Sequence, residues 1–390
     1  MGIQLGDEGA MKVGQVTPSF YPATFYGGPA ESLFHLCEEM GGVGWDVRVL
    51  TTDTNGVERL RVNRRERIGK AGDVGVEYCR RIALDSVSLG LLAGISGLVR
   101  WASVVHLTGV YSFPTIPTLM AARASRRPVV WSPRGSLQRW AGTRKPLLKS
   151  VWERVCMACR PDRLVMHYTS PEEQRESRDR FPGIPGVVIP NGVSIPDRVG
   201  HDPGDGTLRL LFLGRLDPIK GLDCLLRACA GLDRSGGSWR LTIAGDGSPE
   251  YRAELAGLIS SLGLGERVAL SGAVERAGRD RLFAESDLLI LPSHRENFGM
   301  VVAEALAHAV PVVAAKGTPW RRLEEVGCGL WVENEPSCLG QAIERMARAD
   351  RRRMGVLGRE WMQREYSWKG RAEAMGQVYA EILTAEAPQR

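Results

Sequence analysis

No run of apolar residues in this sequence is long enough to cross a bilayer. The longest nearly uncharged stretch, Ser86 to Val99, is interrupted by several Gly and Ser and is shorter than the roughly 20 residues a spanning helix needs. Residues Met1 to Ala10 carry Asp7 and Glu8 and no apolar run, so they do not read as an export signal. They read as a loose extension, with Met11-Lys12 as a second functional start. No Asp-x-Asp occurs anywhere, which removes the usual two-carboxylate clamp for a divalent ion, and no metal or other cofactor is expected. Paired cysteines are scarce too. Cys156 and Cys159 form the lone C-x-x-C, without the second pair of a zinc site, and read as reduced structural thiols that suit the cytosol. Acidic side chains are nearly missing from Ser86 to Arg163, where 12 Lys/Arg stand against 2 Asp/Glu, a balance of +10.

What is present describes a two-domain globular protein. The chain has 390 residues, 43% hydrophobic and 25% charged, more than one ordinary domain needs. Its net charge of +6 is uneven: residues 1–200 hold 26 Lys/Arg and 19 Asp/Glu (+7), residues 201–390 hold 25 and 26 (−1). A basic first half attracts something anionic, either a membrane surface, with Arg123, Arg126 and Arg127 as contacts, or a phosphorylated acceptor. A solvated basic face is the plainer alternative. Nucleic acid is not expected, because no aromatic-rich or nucleic-acid motif accompanies the charge.

Short apolar runs alternate with helix-like stretches. In the first half, Lys12–Val16, Asp46–Thr51, Val104–Leu107, Pro128–Trp131, Leu164–His167 and Val187–Ile189 read as strands, and Pro29–Met40 as a helix stopped by Gly41-Gly42. Ile195 to Thr207 is rich in Pro and Gly and reads as a linker. The pattern then restarts with strands at Leu208–Leu213, Trp239–Ala244, Val268–Leu270, Leu288–Leu291 and Pro311–Ala315. The expectation is an α/β fold of two tandem Rossmann-like domains facing across a cleft, with ligands beyond the carboxyl ends of the strands.

Three segments sit at such strand ends. In Ser293–Ala307 a loop leads into a strongly apolar helix that bears Glu304. A carboxylate on a buried helix needs donors. The spacing leaves two readings open: sugar or ribose hydroxyls, or a structural arginine, with Glu296 an ordinary loop residue in the second case. Gly299 lets the backbone approach a ligand, and the helix start that follows suits phosphate. In Leu211–Gly221, Arg215 and Lys220 place two cations near a helix start, where an intervening anion such as a diphosphate would compensate them. In the third segment, Gly27-Gly28-Pro29 permits close approach in the loop after the first strand.

Taken together and in order, these segments resemble the group 1 (family 4) retaining glycosyltransferases of the GT-B fold, over roughly Met11 to Ile382. The resemblance is carried by Glu296 and Glu304 in "RENFGMVVAEALA", by Gly214-Arg215-Leu216 with Lys220-Gly221, and by Asn191-Gly192-Val193. It implies that Arg215 and Lys220 bind the donor diphosphate and stabilise the leaving nucleotide. It further implies that Glu296 bonds donor-sugar hydroxyls, that Phe298, Gly299 and Met300 offer backbone groups, that Glu304 holds the ribose, and that Gly28 lines the cleft. The implied domains are 1–195 on the acceptor side, 207–365 for the nucleotide sugar, and a final helix in 366–390 that returns to the first domain. "WSPRGSLQRWA", Trp131–Ala141, is similar to a stretch of relatives that build bacterial surface polysaccharides. There Arg134 stands where many relatives carry His, and a guanidinium is no general base at neutral pH. His106 is the remaining first-domain histidine expected near a strand end. The resemblance implies metal-independent transfer of a hexose-type sugar from a nucleotide-sugar donor to a glycan or lipid-linked acceptor, in the cytoplasm or at the inner face of the membrane. The competing readings are a nucleotide-sugar epimerase or phosphorylase on the same fold, and a non-catalytic nucleotide-sugar-binding protein.

Overall fold

The computed structural model describes residues 10–385 except 24, 26, 71, 85, 139–145, 201–204 and 233–237. Trp140 and Ala141, most of the N-terminal extension and part of the expected linker lie outside the described residues. The chain divides into two compact units, Met1–Gly192 with Trp368–Arg390, and Val193–Ser367.

In chain order the first unit contains β1 (Lys12–Val16), α1 (Gly28–Gly42), β2 (Asp46–Thr52), a short hairpin of β3 (Thr54–Asn55) and β4 (Glu58–Arg59), then β5 (Arg65–Ile68) and β6 (Val74–Cys79). It continues through α2 (Leu89–Trp101), β7 (Val104–Thr108), α3 (Thr115–Ala124), β8 (Val129–Ser132), α4 (Pro146–Cys159), β9 (Leu164–Tyr168), α5 (Pro171–Arg178) and β10 (Gly186–Val188). The main sheet runs β10-β9-β8-β7-β1-β2-β6-β5. Every pairing in it is parallel except β5 with β6. β7 and β8 are buried along their whole length, His106 and Ser132 included, as strands of a parallel sheet covered on both faces should be. Serines cap α2 and α5. Ser88 accepts from the Leu91 amide (3.3 Å) and Ser170 from the Glu173 amide (3.1 Å) ahead of Pro171, each satisfying an amide that the helix cannot.

The second unit contains β11 (Leu208–Leu213), a 3-10 turn at Pro218–Lys220, α6 (Leu222–Leu232), β12 (Trp239–Ala244), α7 (Pro249–Ser261), β13 (Val268–Gly272) and α8 (Arg276–Ala284). Next come β14 (Leu288–Leu291), α9 (Met300–Ala307), β15 (Val312–Ala315), α10 (Leu323–Val326), β16 (Gly329–Val332), α11 (Pro336–Ala347) and α12 (Arg351–Glu365). Its sheet is parallel throughout, ordered β13-β12-β11-β14-β15-β16. The last helix, α13 (Trp368–Thr384), belongs to the first unit and packs on α1. Gly192 is required for that return. A Cβ there would stand 2.5 Å from the Trp368 ring.

Each sheet reverses its direction of winding once, between β1 and β7 in the first unit and between β11 and β14 in the second. Such a reversal opens a crevice at the carboxyl ends of the two strands, because the following loops depart to opposite sides. In the second unit the neighbouring loops are in near-contact. The Gly214 amide donates to the Ala244 carbonyl (2.9 Å), and the Leu216 amide to the Asp246 carbonyl (2.8 Å). A Cβ on Gly245, at φ +145°, would lie 1.8 Å from the Gly214 carbonyl oxygen. Gly245→Ala should therefore destabilise the second unit by about 2–4 kcal/mol. Scanning calorimetry checks this: the second unit's transition falls while the first unit's stays in place.

Candidate functional site

The crevice between β11 and β14 brings together residues 76 positions apart in sequence. Asp217 caps the 3-10 turn after β11, accepting from the Ile219 amide at 3.1 Å, and Gly221 leaves the turn in the left-handed region at φ +65°. A side chain at Gly221 would strike the Pro292 carbonyl at 2.2 Å, so the turn lies directly against the loop after β14. The His294 amide seals that contact by donating to the Ile219 carbonyl at 2.9 Å. Lys220 thereby projects onto Glu296, and its ammonium forms an ion pair with Glu296 Oε1, both side chains being largely buried. The buried Ser293 hydroxyl donates to the same oxygen at 2.9 Å, and the Glu296 amide donates to the Gly317 carbonyl at 2.9 Å. An ammonium has three donors; the pair uses one and orients the others.

Three residues after Glu296, Gly299 (φ +75°) caps the start of α9. Helix geometry leaves the first amides of α9 without intrahelical acceptors, so this end carries partial positive charge. Phe298 is buried, and its carbonyl accepts from Trp320 Nε1 at 2.5 Å, which holds the loop against a cluster of Trp320, Trp361 and Tyr366. α9 is less enclosed than its composition predicts: Met300, Val301 and Glu304 are partly exposed, and Glu304 lies 3.6 Å from Arg279. Arg215 is exposed and 3.5 Å from Asp217. The crevice thus gathers Lys220, Glu296 and the start of α9. Ser293, Gly317 and Trp320 hold it and were not legible as site residues, because their roles are contacts between loops far apart in sequence.

In the first unit Gly28 is the first residue of α1. His106 departs from its expected position at the lip of a cleft: it is fully buried in β7 and both ring nitrogens are engaged inside the unit. Nδ1 meets Tyr379 Oη on α13 (2.5 Å) and Nε2 meets Ser132 Oγ (2.6 Å). Ser132 Oγ also meets His167 Nδ1 (2.6 Å), and His167 Nε2 donates to the Ile189 carbonyl (2.9 Å). A buried polar chain therefore spans the sheet from α13 to the end of β10. At its edge Arg134, at φ +53°, donates to Asn191 Oδ1. The next amide, Gly135 N, donates to buried Glu173 at 2.5 Å, and that carboxylate also accepts from the Thr169 amide and hydroxyl. Asn191 and Glu173 thus hold the loop that carries Arg134.

Two sheets wound in both directions, one with an ion pair and a helix start in its crevice, define a protein of two Rossmann-like units. The Glycosyl transferase 4-like domain model matches residues 27–192, and the Glycosyl transferases group 1 model matches residues 196–361. The chain belongs to the group 1 glycosyltransferases. A phosphatidyl-myo-inositol mannosyltransferase of Mycobacterium leprae is 29% identical over 396 residues, covering 96% of this chain and 98% of that one. Among solved structures, sucrose-phosphate synthase from Thermosynechococcus elongatus superposes with a TM-score of 0.75 at 20% identity, covering 96% of this chain and all of that one. Anabaena HepE in complex with UDP gives 0.72 at 18%, covering 95% of this chain and all of that one. These similarities show the GT-B fold.

The buried histidines carry a pH dependence. Burial, then the neighbouring His167 and Arg134, hold His106 well below its usual value. Burial, then Arg134, pull His167 down to about 3, against the opposing bond to the Ile189 carbonyl. Both are neutral when folded, whereas the unfolded chain charges them below about pH 6.5. The unfolded state then binds more protons, so stability falls as pH falls from about 6.5, for His167 as far as about 3. Between pH 6.5 and 5.5 each histidine should remove about 1 kcal/mol from the first unit. Melting curves at pH 7.5, 6.5 and 5.5 test this, and His167→Gln should roughly halve the dependence.

Proposed function

We propose that this glycosyltransferase moves a hexose-type sugar from a nucleotide-sugar donor to a glycan or lipid-linked acceptor, retaining the anomeric configuration and using no metal. The observation that carries this reading is the Lys220–Glu296 pair in the crevice of the second sheet, beside the start of α9. A donor diphosphate beside Lys220 and the leading amides of α9 meets fixed positive charge on two sides. Cleavage of the sugar–phosphate bond builds negative charge on that diphosphate. Groups already held in place stabilise it most where it is largest, in the transition state. Glu296, an acceptor oriented by Ser293, suits sugar hydroxyls, and Glu304 suits the ribose. Arg215, exposed at the same strand end, adds a second cation for the phosphates.

HepE, solved with UDP and with UDP-glucose, supports a nucleotide-sugar donor. The mannosyltransferase of similar length acts, by its name, on a phosphatidyl-inositol, which supports a lipid-linked acceptor for this chain. The place in making cell-surface glycans, at the inner face of a membrane, rests on the resemblance of Trp131–Ala141 to relatives that build surface polysaccharides. Arg134, held by Asn191 beside the buried chain of the first unit, is a cation suited to a phosphate or a hydroxyl of the acceptor. His106 acts through Ser132 and Tyr379, as a positioning residue.

A thermal-shift series with UDP, GDP, ADP and their common sugars, with and without EDTA, tests the reading. One nucleotide series should stabilise the protein by about 2.7 kcal/mol at a hundred times its dissociation constant, with no effect of EDTA. Lys220→Ala should weaken that nucleotide at least tenfold, about 1.4 kcal/mol. Stabilisation by no nucleotide, or an undiminished response in Lys220→Ala, would overturn the site. Dependence on added metal would overturn the metal-free mechanism.

A further inference from the structure

Helix α4 of the first unit is apolar on both its inward and its outward side. Its inward side carries Lys149, Trp152, Glu153 and Cys156, at helical spacing. Lys149 lies over the Tyr111 ring at 4.8 Å, Trp152 Nε1 donates to the Val110 carbonyl at 2.7 Å, and buried Glu153 accepts from the Tyr111 hydroxyl. Cys156 lies in the core, and Trp152, Met157 and Cys159 pack against it, yet the outward side carries a second set of apolar residues. Leu147 is 83% exposed, Leu148 61%, Val151 54% and Val155 39%. Leu147, Val151 and Val155 follow one another at intervals of four, so they form one stripe along the helix. A globular helix normally turns such a stripe to the core. Here the core packing of Cys156, Trp152 and Met157 and the contacts of Lys149, Trp152 and Glu153 fix the helix rotation, and the second stripe is left outside.

Cations border the stripe. Arg154 lies beside it and is exposed, as is Arg160 just past the helix. Arg123 reaches in from α3 and donates to the Ala158 carbonyl at 2.5 Å. The surrounding sequence has the +10 balance already noted. A second copy of the chain meeting this face about a two-fold axis would bring the same cations together, which costs free energy. An anionic bilayer takes both features: apolar tips enter the acyl boundary while Arg154 and Arg160 remain at the headgroups. Shallow insertion of apolar side chains and attraction of cations are individually weak and jointly sufficient for reversible attachment.

We propose that the outward stripe of α4, Leu147, Leu148, Val151 and Val155 with Arg154 and Arg160, docks the first unit on an anionic lipid surface by shallow insertion. The inference rests on the proposed lipid-linked acceptor for its purpose alone, since docking is measured with neither donor nor acceptor present. The test is flotation of the full chain with vesicles of phosphatidylcholine containing 30 mol% phosphatidylglycerol, and with phosphatidylcholine alone. The wild type should bind the anionic vesicles and keep part of that binding in 0.5 M salt, where charge attraction is screened. The triple variant Leu147→Gln, Leu148→Gln, Val151→Gln should bind at least tenfold more weakly and lose the salt-resistant part. Gln keeps the helix, and an unchanged melting curve and nucleotide shift confirm that the fold persists. Arg154→Gln with Arg160→Gln should weaken binding in low salt and spare the salt-resistant part. Equal binding by wild type and the triple variant overturns the proposal, as does absence of wild-type binding. A concentration-dependent rise in molar mass that the triple variant abolishes would overturn it in favour of a second copy. None of these results depends on whether a nucleotide binds at Lys220, so the two readings fail separately.

Discussion

The crevice of the second sheet is organised by one ion pair, Lys220 with Glu296, that local structure could not make. The lysine ends a 3-10 turn after β11 and the glutamate follows β14. Their strands are neighbours because the sheet reverses its winding there. The loops then come within bonding distance because glycine stands at each crossing: Gly221 against Pro292, Gly317 against His294, Gly245 against Gly214. Largely buried charges are tolerated only when paired and hydrogen-bonded. Ser293 supplies the extra bond, and the pair in turn fixes an ammonium and a carboxylate at the point where the α9 dipole begins.

The first unit solves a different problem. Its central polar residues lie inside the sheet, where an unpaired donor or acceptor is costly. Tyr379, His106, Ser132, His167 and the Ile189 carbonyl satisfy one another in series. Because Tyr379 lies on α13, the chain's last helix is part of the buried network of its first unit, and Gly192 makes room for that helix at Trp368. Histidines that must stay neutral to fold are poor general bases. They suit a scaffold that holds a neighbouring cation, Arg134, in a fixed place. In α4 the buried Glu153 and Cys156 and the core-packed Trp152 hold the helix down, and a second, apolar stripe is left outside.

Much of this was legible in the residues. The strands Leu208–Leu213, Trp239–Ala244 and Leu288–Leu291 are where predominantly apolar runs of strand length place them, the first two broken by Arg209, Arg240 and Thr242. α1 stops at its glycine pair, close to where the pattern ended. β5, β6 and β16 were missed. β5, Arg65–Ile68, is a charged edge strand and has no apolar signal, and β6 and β16 mix apolar residues with Gly and Glu or are very short. Register against a neighbour decides such strands, and register is not written in one segment. The C-x-x-C pair holds free thiols, one of them buried in the core.

By itself the sequence determined the alternation of strands and helices, the positions of the loops that end in Gly, Lys and Glu, and the excess of basic charge in the first half. Each of these is a property of neighbouring residues. Only the tertiary structure decided which loops meet, that Lys220 pairs with Glu296, that His106 is enclosed rather than presented, that Arg279 stands by Glu304, and which face of α4 turns outward. Those outcomes follow from strand order and helix rotation, which bring together groups tens to hundreds of residues apart. No periodicity within a single segment contains that information.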